Sequence, residues 1–230
     1  MLKSELVAKN PLRALDQSRD GGLVPGQVGL VVARAGTGKT AFLIQVALDN
    51  LFRGNPVLHV SIGETVSHVK AWYDEIFRDL ATGYELERAR EVWHEVEENR
   101  VIMTFRVQAF SVDKLEERLD DLVQQGIFTP RVVVVDGFEL GPELRPALEA
   151  FEQFARAKGL KVWIAARSHR EAGAVDPLVA PLEDLCQVVV CLDPKPNAIS
   201  LRVYKNPSGT VGHAPIALDP RTLLLVPQHG

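Results

Sequence analysis

The chain has 230 residues, 46% hydrophobic and 24% charged, with 14 prolines. That composition suits one folded domain able to bury its own core, and it excludes long disordered or coiled-coil stretches. A net charge of −4 supplies no overall basic field for nucleic acid, and no run approaches the roughly 18 apolar residues that span a bilayer.

The first residues, MLKSELVAKNPLRALDQ, lack the apolar segment of a secretory signal, so a cytoplasmic location without membrane insertion is expected. Residues 1–19 read as an extension ahead of a single domain over 20–230. After the turn-rich GGLVPG, the run VGLVVA (28–33) is apolar and β-branched, the signature of a fully buried parallel strand. Glycine-rich residues follow, then KTAFLIQVALDNLFRG, with Phe42, Ile44, Val46, Ala47, Leu48 and Leu51 in a buried helix that stops at Gly54.

A second buried strand, VLHVSI (57–62), leads into a helix in which Val66, Val69, Trp72, Tyr73, Ile76, Phe77 and Leu80 recur at helical spacing, as a core-packing stripe. The charged segment ELERAREVWHEVEENR predicts another helix and VIMTFRV (101–107) a third strand. SVDKLEERLDDLVQQG predicts a helix capped by Ser111 and ended by Gly126. RVVVVDGFE, PALEAFEQFARAKG and KVWIAARS then read as strand, helix and strand.

This alternation predicts an α/β fold with a doubly wound, mainly parallel sheet flanked by helices on both faces. From CQVVVCLD onward strands predominate, through ISLRVYK, HAPIALD and TLLLV, and short Pro/Gly turns such as NPSGTVG predict antiparallel hairpins on one edge. Cys186 and Cys191 are the only cysteines; on a strand, their spacing would point them to opposite faces as buried free thiols, the alternative being a metal or redox pair.

ARAGTGKT (33–40) carries the chemistry. It follows the phosphate-loop pattern G-x-x-x-x-G-K-[ST] except that Ala33 stands at the first glycine, and it lies between a buried strand and a helix as the motif requires. Arg34, Ala35, Gly36, Thr37, Gly38, Lys39, Thr40 and Ala41 would wrap a triphosphate with backbone N–H groups. Gly36 and Gly38 let the backbone curl, Lys39 supplies charge and Thr40 a hydroxyl for Mg²⁺. Ala33 precedes the curl, so its substitution is expected to be tolerated. Four valines place Asp136 at the end of a buried strand, where a carboxylate can hold the same Mg²⁺ through water. Glu64, just past the second strand, is either the carboxylate that polarises an attacking water or a glutamate favoured by a helix N-terminus.

Taken in order, GGLVPGQVGLVVARAGTGKT, VLHVSIGET, VVVVDG, KVWIAARSHR and LRVYKNPSGTVG resemble the RecA-type ATPase core of the KaiC, RadA and DnaB helicase group over roughly residues 20–226. In that group Ala often replaces the first glycine. The resemblance implies a glutamate at the end of the second strand, and Gly63-Glu64 stands there, with Gly63 at the position that is usually catalytic. It implies a Ser/Thr-Gln sensor where this chain has Ala166-Arg167; Arg167 cannot accept a hydrogen bond from water but can contact a γ-phosphate. It also implies a Lys-x-Arg finger reaching a neighbouring subunit's nucleotide, matched here by Lys205 with Pro207 in place of the arginine.

With ATP and Mg²⁺ as cofactors, these departures imply weak or altered hydrolysis, with nucleotide state controlling self-assembly or the binding of a protein partner. The resemblance further implies a homo-oligomeric ring or filament with nucleotide between subunits. Alternatives are a non-hydrolysing nucleotide-dependent scaffold and a DNA-associated accessory ATPase. The loop GFELGPELRP is acidic, and RSHREAGAVDP offers Arg167, His169 and Arg170 without interleaved aromatics, so nucleic acid is the less favoured partner. A small-molecule kinase is disfavoured because no arginine-rich lid is evident.

Overall fold

Runs of Val, Ile and Leu bounded by Gly and Pro form the strands of a central sheet. The computed structural model describes residues 1–15, 22–169, 179–207, 209 and 211–228. Its strands are β1 (Gln27–Ala33), β2 (Val57–Ile62), β3 (Arg100–Phe105), β4 (Val132–Glu139), β5 (Lys161–Arg167), β6 (Val188–Lys195), β7 (Ala198–Lys205), β8 (Gly212–Leu218) and β9 (Leu225–Pro227). The helices are α1 (Lys3–Lys9), α2 (Lys39–Phe52), α3 (Val66–Gly83), α4 (Ala89–Glu98), α5 (Val112–Gln124) and α6 (Leu144–Lys158).

Among the described residues the strands make one nine-stranded sheet in the order β3-β2-β4-β5-β1-β6-β7-β8-β9. Strands β1 to β6 pair in parallel, and β7, β8 and β9 add antiparallel strands on one side. The doubly wound α/β reading holds, with one refinement. CQVVVCLD does begin the hairpin region, since β6 forms an antiparallel hairpin with β7, but its other edge lies parallel to β1, so β6 joins the two parts of the sheet.

Alternate side chains of each strand feed two cores, one on each face of the sheet. Val31, Val57, Val134, Trp163 and Val190 pack with α1, α2, α3 and α4, whereas Leu30, Val60, Val133, Ile164 and Val189 pack with α5 and α6. Each fully buried Leu, Ile or Phe contributes roughly 1.5–3 kcal/mol over leaving it exposed, so these faces hold the layers together. The helix ends follow local rules. Thr65 caps α3 by accepting from the His68 N–H, Ser111 caps α5 by accepting from Lys114, and Gly159 ends α6 at φ +63°.

The third strand begins one residue earlier than expected and ends at Phe105, giving way to a short 3₁₀ turn at Val107–Ala109. Arg100 is buried at its start, its guanidinium 4.1 Å from the Tyr73 ring centroid. The last strand is shorter than TLLLV suggested and starts at Leu225. The cysteines also differ from expectation. Cys186 precedes β6, so strand alternation does not govern it, and both thiols enter the α5/α6 core as buried free cysteines. Burial pushes the Cys186 thiol up to about 12.

Both ends of the described chain fasten onto α2. Leu6, Leu12 and Leu15 join its core, Asn10 Nδ2 donates to Asp49 Oδ1 at 3.0 Å, and Arg13 is ion-paired with Asp49. From the other end, Leu225 N donates to Gln45 Oε1 at 2.6 Å, and Gln45 Nε2 donates to the Leu223 carbonyl at 2.8 Å.

Candidate nucleotide-binding site

Strand β1 delivers the loop from the middle of the sheet, between β5 and β6. Ala33 is still buried strand at the point where the motif usually has glycine, in register with Arg167 of β5 and accepting from Ser168 N at 2.8 Å. The turn comes later, at Gly36 and Gly38, with φ of +71° and +96°. The φ of +96° favours glycine at Gly38, and a Cβ there would lie 2.9 Å from Leu218 Cδ1, the end of a flexible side chain that would have to shift.

Gly38 is the N-cap of α2 and offers no side-chain cap, which leaves the N–H groups of the first turn, Ala41 included, without a side-chain acceptor. Arg34, Ala35 and Gly36 are exposed, and Thr37 is buried with its N–H bonded to the Arg34 carbonyl at 3.4 Å. Lys39 Nζ donates to the same carbonyl at 2.9 Å, and Thr40 Oγ1 donates to Asp136 Oδ2 at 2.5 Å.

Burial pushes the Asp136 carboxyl above its ordinary range, against the Thr40 hydrogen bond and the Lys39 charge. Lys39 is held below its ordinary value, mainly by desolvation and in spite of Asp136. A buried carboxylate beside a hydroxyl is a hard-oxygen donor set that gains from added positive charge, and the pair therefore fits Mg²⁺. The uncapped helix turn and Lys39 fit the phosphates that such an ion accompanies.

A cavity of about 300 Å³ opens beside this pair, lined by Lys39, Thr40, Asp136, Glu64, Glu139 and Arg167 among others. Glu64 lies ahead of the Thr65 cap rather than inside α3, and it is exposed. Gly63 has φ +95°, a conformation that L side chains rarely adopt, so the backbone itself disfavours a glutamate there. Two residues of the predicted stripe depart from a pure core role: Val66 is exposed, and Trp72 is half-buried and lines the cavity.

Arg167 does line the cavity, but its charge is committed. Its Nη2 lies 2.6 Å from Glu139 Oε1 and its Nε donates to Oε2 at 3.0 Å, while His169 Nε2 approaches Oε2 at 2.9 Å. Lys205 is not brought to the cavity; its Nζ donates to the Glu183 carbonyl at 2.6 Å. Arg170 lies outside the described residues. Glu139 was not singled out by sequence, which placed it at the end of the RVVVVDGFE strand and in the acidic loop that follows; its only local signal was its place three residues after Asp136.

A parallel sheet, a phosphate loop entering a helix, and a Thr–Asp pair at the carboxyl ends of the strands define a P-loop nucleotide-binding domain of RecA type. The family model described as "ATPase: KaiC" matches residues 9–144, more than half of the chain, and the chain belongs to this KaiC ATPase family. No individual curated protein shows significant similarity to it. Among the described residues, no helix is long and apolar enough to cross a membrane.

Proposed function

We propose that the protein binds MgATP at this site, hydrolyses it slowly, and uses nucleotide occupancy to govern its own assembly or the docking of a protein partner. The observation that carries the reading is the convergence of Lys39, Thr40 and Asp136 at a helix N-terminus without a side-chain cap. On this reading Arg34 to Ala41 wrap the phosphates with backbone N–H groups, and Lys39 leaves the Arg34 carbonyl for the β/γ-phosphates. Thr40 and Asp136 hold Mg²⁺ between them, Asp136 through water. When bound, Mg²⁺ neutralises charge on the phosphate oxygens. Slow turnover follows from Gly63, whose backbone favours glycine where the family resemblance implies a glutamate, and from an Arg167 already engaged by Glu139.

Lys205 would complete a neighbour's site only in an oligomer, after giving up its bond to Glu183, and a ring or filament is the arrangement this predicts. Light scattering with and without MgATP tests it; a protein that stays monomeric at high concentration in both conditions removes the shared-site reading. Turnover is tested by phosphate release from MgATP. Wild-type release that Lys39→Ala abolishes is expected, with a nucleotide-dependent rise in Tm that the variant also loses. A retained Tm rise without phosphate release would favour the non-hydrolysing scaffold. The engagement of Arg167 and His169 by Glu139 argues against the DNA-associated reading, because it occupies two of the three loop side chains that would contact phosphates.

A further inference from the structure

A bulge in β4 changes which side chains face the cavity beside Lys39, Thr40 and Asp136. Pairing with β5 runs regularly to Val135 opposite Ile164, then shifts so that Phe138 lies opposite Ala166 and Glu139 opposite Arg167. The two residues of the bulge are Asp136 and Gly137; Gly137 has φ +116°, and a Cβ there would lie 2.3 Å from the Ile62 carbonyl oxygen.

The bulge inverts the alternation that follows it. Before it, even-numbered Val132 and Val134 face α2, and odd-numbered Val133 and Val135 face α5 and α6. Continued regularly, the pattern would send Glu139 into the α5/α6 layer. Instead the Phe138 ring packs there, 5.9 Å from that of Phe151, while also reaching the cavity edge, and Glu139 lines the cavity with Asp136, Lys39 and Arg167 and ion-pairs with Arg167. One irregularity thus brings two carboxylates from one strand to the same opening.

Glu139 is also oriented. A carboxylate offers about four lone-pair directions. Arg167 Nε and His169 occupy Oε2, and Arg167 Nη2 occupies one direction of Oε1, which leaves Oε1 with a further acceptor direction. Glu64 and Glu139 are both exposed, but Glu64, unlike Glu139, has no hydrogen bond or ion pair among the described residues. Holding a reacting group in place is worth far more than mere proximity.

We propose that Glu139, brought to the phosphate side by the bulge and fixed by Arg167 and His169, is the carboxylate that orients and deprotonates the water attacking ATP, in the role the family resemblance gives to position 63. This rests on the reading of slow ATP hydrolysis. In the step, the water oxygen forms a bond to the γ-phosphorus as the bond from that phosphorus to the β–γ bridging oxygen breaks. The electron pair leaves with ADP and the water proton passes to Glu139.

The test measures single-turnover hydrolysis of MgATP, the Kd for MgATP by direct titration, and the MgATP-induced rise in Tm, for wild type, Glu139→Gln, Glu64→Gln and Lys39→Ala. Expected is a roughly hundredfold slower chemical step in Glu139→Gln, with Kd within about threefold of wild type and the Tm rise retained. Glu64→Gln should lose at least about tenfold less than Glu139→Gln. Turnover of Glu139→Gln within about threefold of wild type, or a larger loss in Glu64→Gln, overturns the assignment while leaving slow hydrolysis intact. Loss of affinity in Glu139→Gln parallel to its loss of rate also overturns it, since the residue would then act in folding or binding. Wild-type turnover no faster than that of Lys39→Ala removes the hydrolysis reading, and this role with it.

Discussion

The chain twice turns from a buried strand through a left-handed glycine into a helix, and the two turns are built for different ends. At the junction of β1 and α2, Gly38 is itself the N-cap and supplies no side-chain acceptor. At the junction of β2 and α3, Gly63 makes a similar bend, but Thr65 follows and its hydroxyl accepts from the His68 N–H at 3.2 Å. The first helix keeps donors available for an anion; the second satisfies one internally. The two turns thus differ in the cap more than in the curl.

Acid should separate the two units most. β1 carries no titratable side chain, whereas β2 buries His59, which shares a 3.2 Å hydrogen bond with Tyr73 and has no protein partner at Nε2. Burial, with help from the Arg100 charge, lowers the His59 pKa to about 3 from 6.5. The folded state therefore favours the neutral ring, and the resulting stability is present above pH 6.5 and lost as pH falls towards 3. At pH 4.5 the loss should be about 3 kcal/mol. Urea unfolding at pH 7 and 4.5 checks it: His59→Phe should show a pH-dependent loss smaller by about that amount, and an unchanged loss would remove the assignment.

Alanine at the glycines comes next. Gly38→Ala meets both a φ of +96° and Leu218 Cδ1 at 2.9 Å, whereas Gly63→Ala meets a similar φ with Val107 Cγ2 at 3.4 Å. We expect the first to cost roughly 2–3 kcal/mol and to weaken MgATP binding, and the second roughly 1–2 kcal/mol. Denaturant midpoints and nucleotide titrations decide, and equal costs would mean that Leu218 moves aside freely. The smallest effect is Thr65→Ala, about 1 kcal/mol in stability with MgATP affinity unchanged; an affinity change would show that the two turns are coupled.

Sequence made most of the fold legible, because buried parallel strands are continuous aliphatic runs and their helices carry clear stripes and end signals. Lys39, Thr40 and Asp136 were legible for a related reason: motif spacing fixes them relative to a strand end. Glu139 was not, because its facing depends on a register shift against β5, and strand alternation read along β4 alone gives the opposite side. The cysteines misled similarly, since Cys186 stands just outside the strand whose alternation was applied to it. Lys205 and Arg167 were named from positional resemblance, which carries no information on the Glu183 carbonyl and the Glu139 carboxylate that hold them.

The fastening of α2 by Gln45 bears on how the domain comes to be folded. The bonds from Gln45 to Leu223 and Leu225 span 178 and 180 residues of chain, and such long-range closures are slow to form. During synthesis the phosphate loop emerges ahead of β9, and the helix behind it gains these partners only when that strand is made. The phosphate loop is thus made well before the strand whose backbone secures the helix behind it.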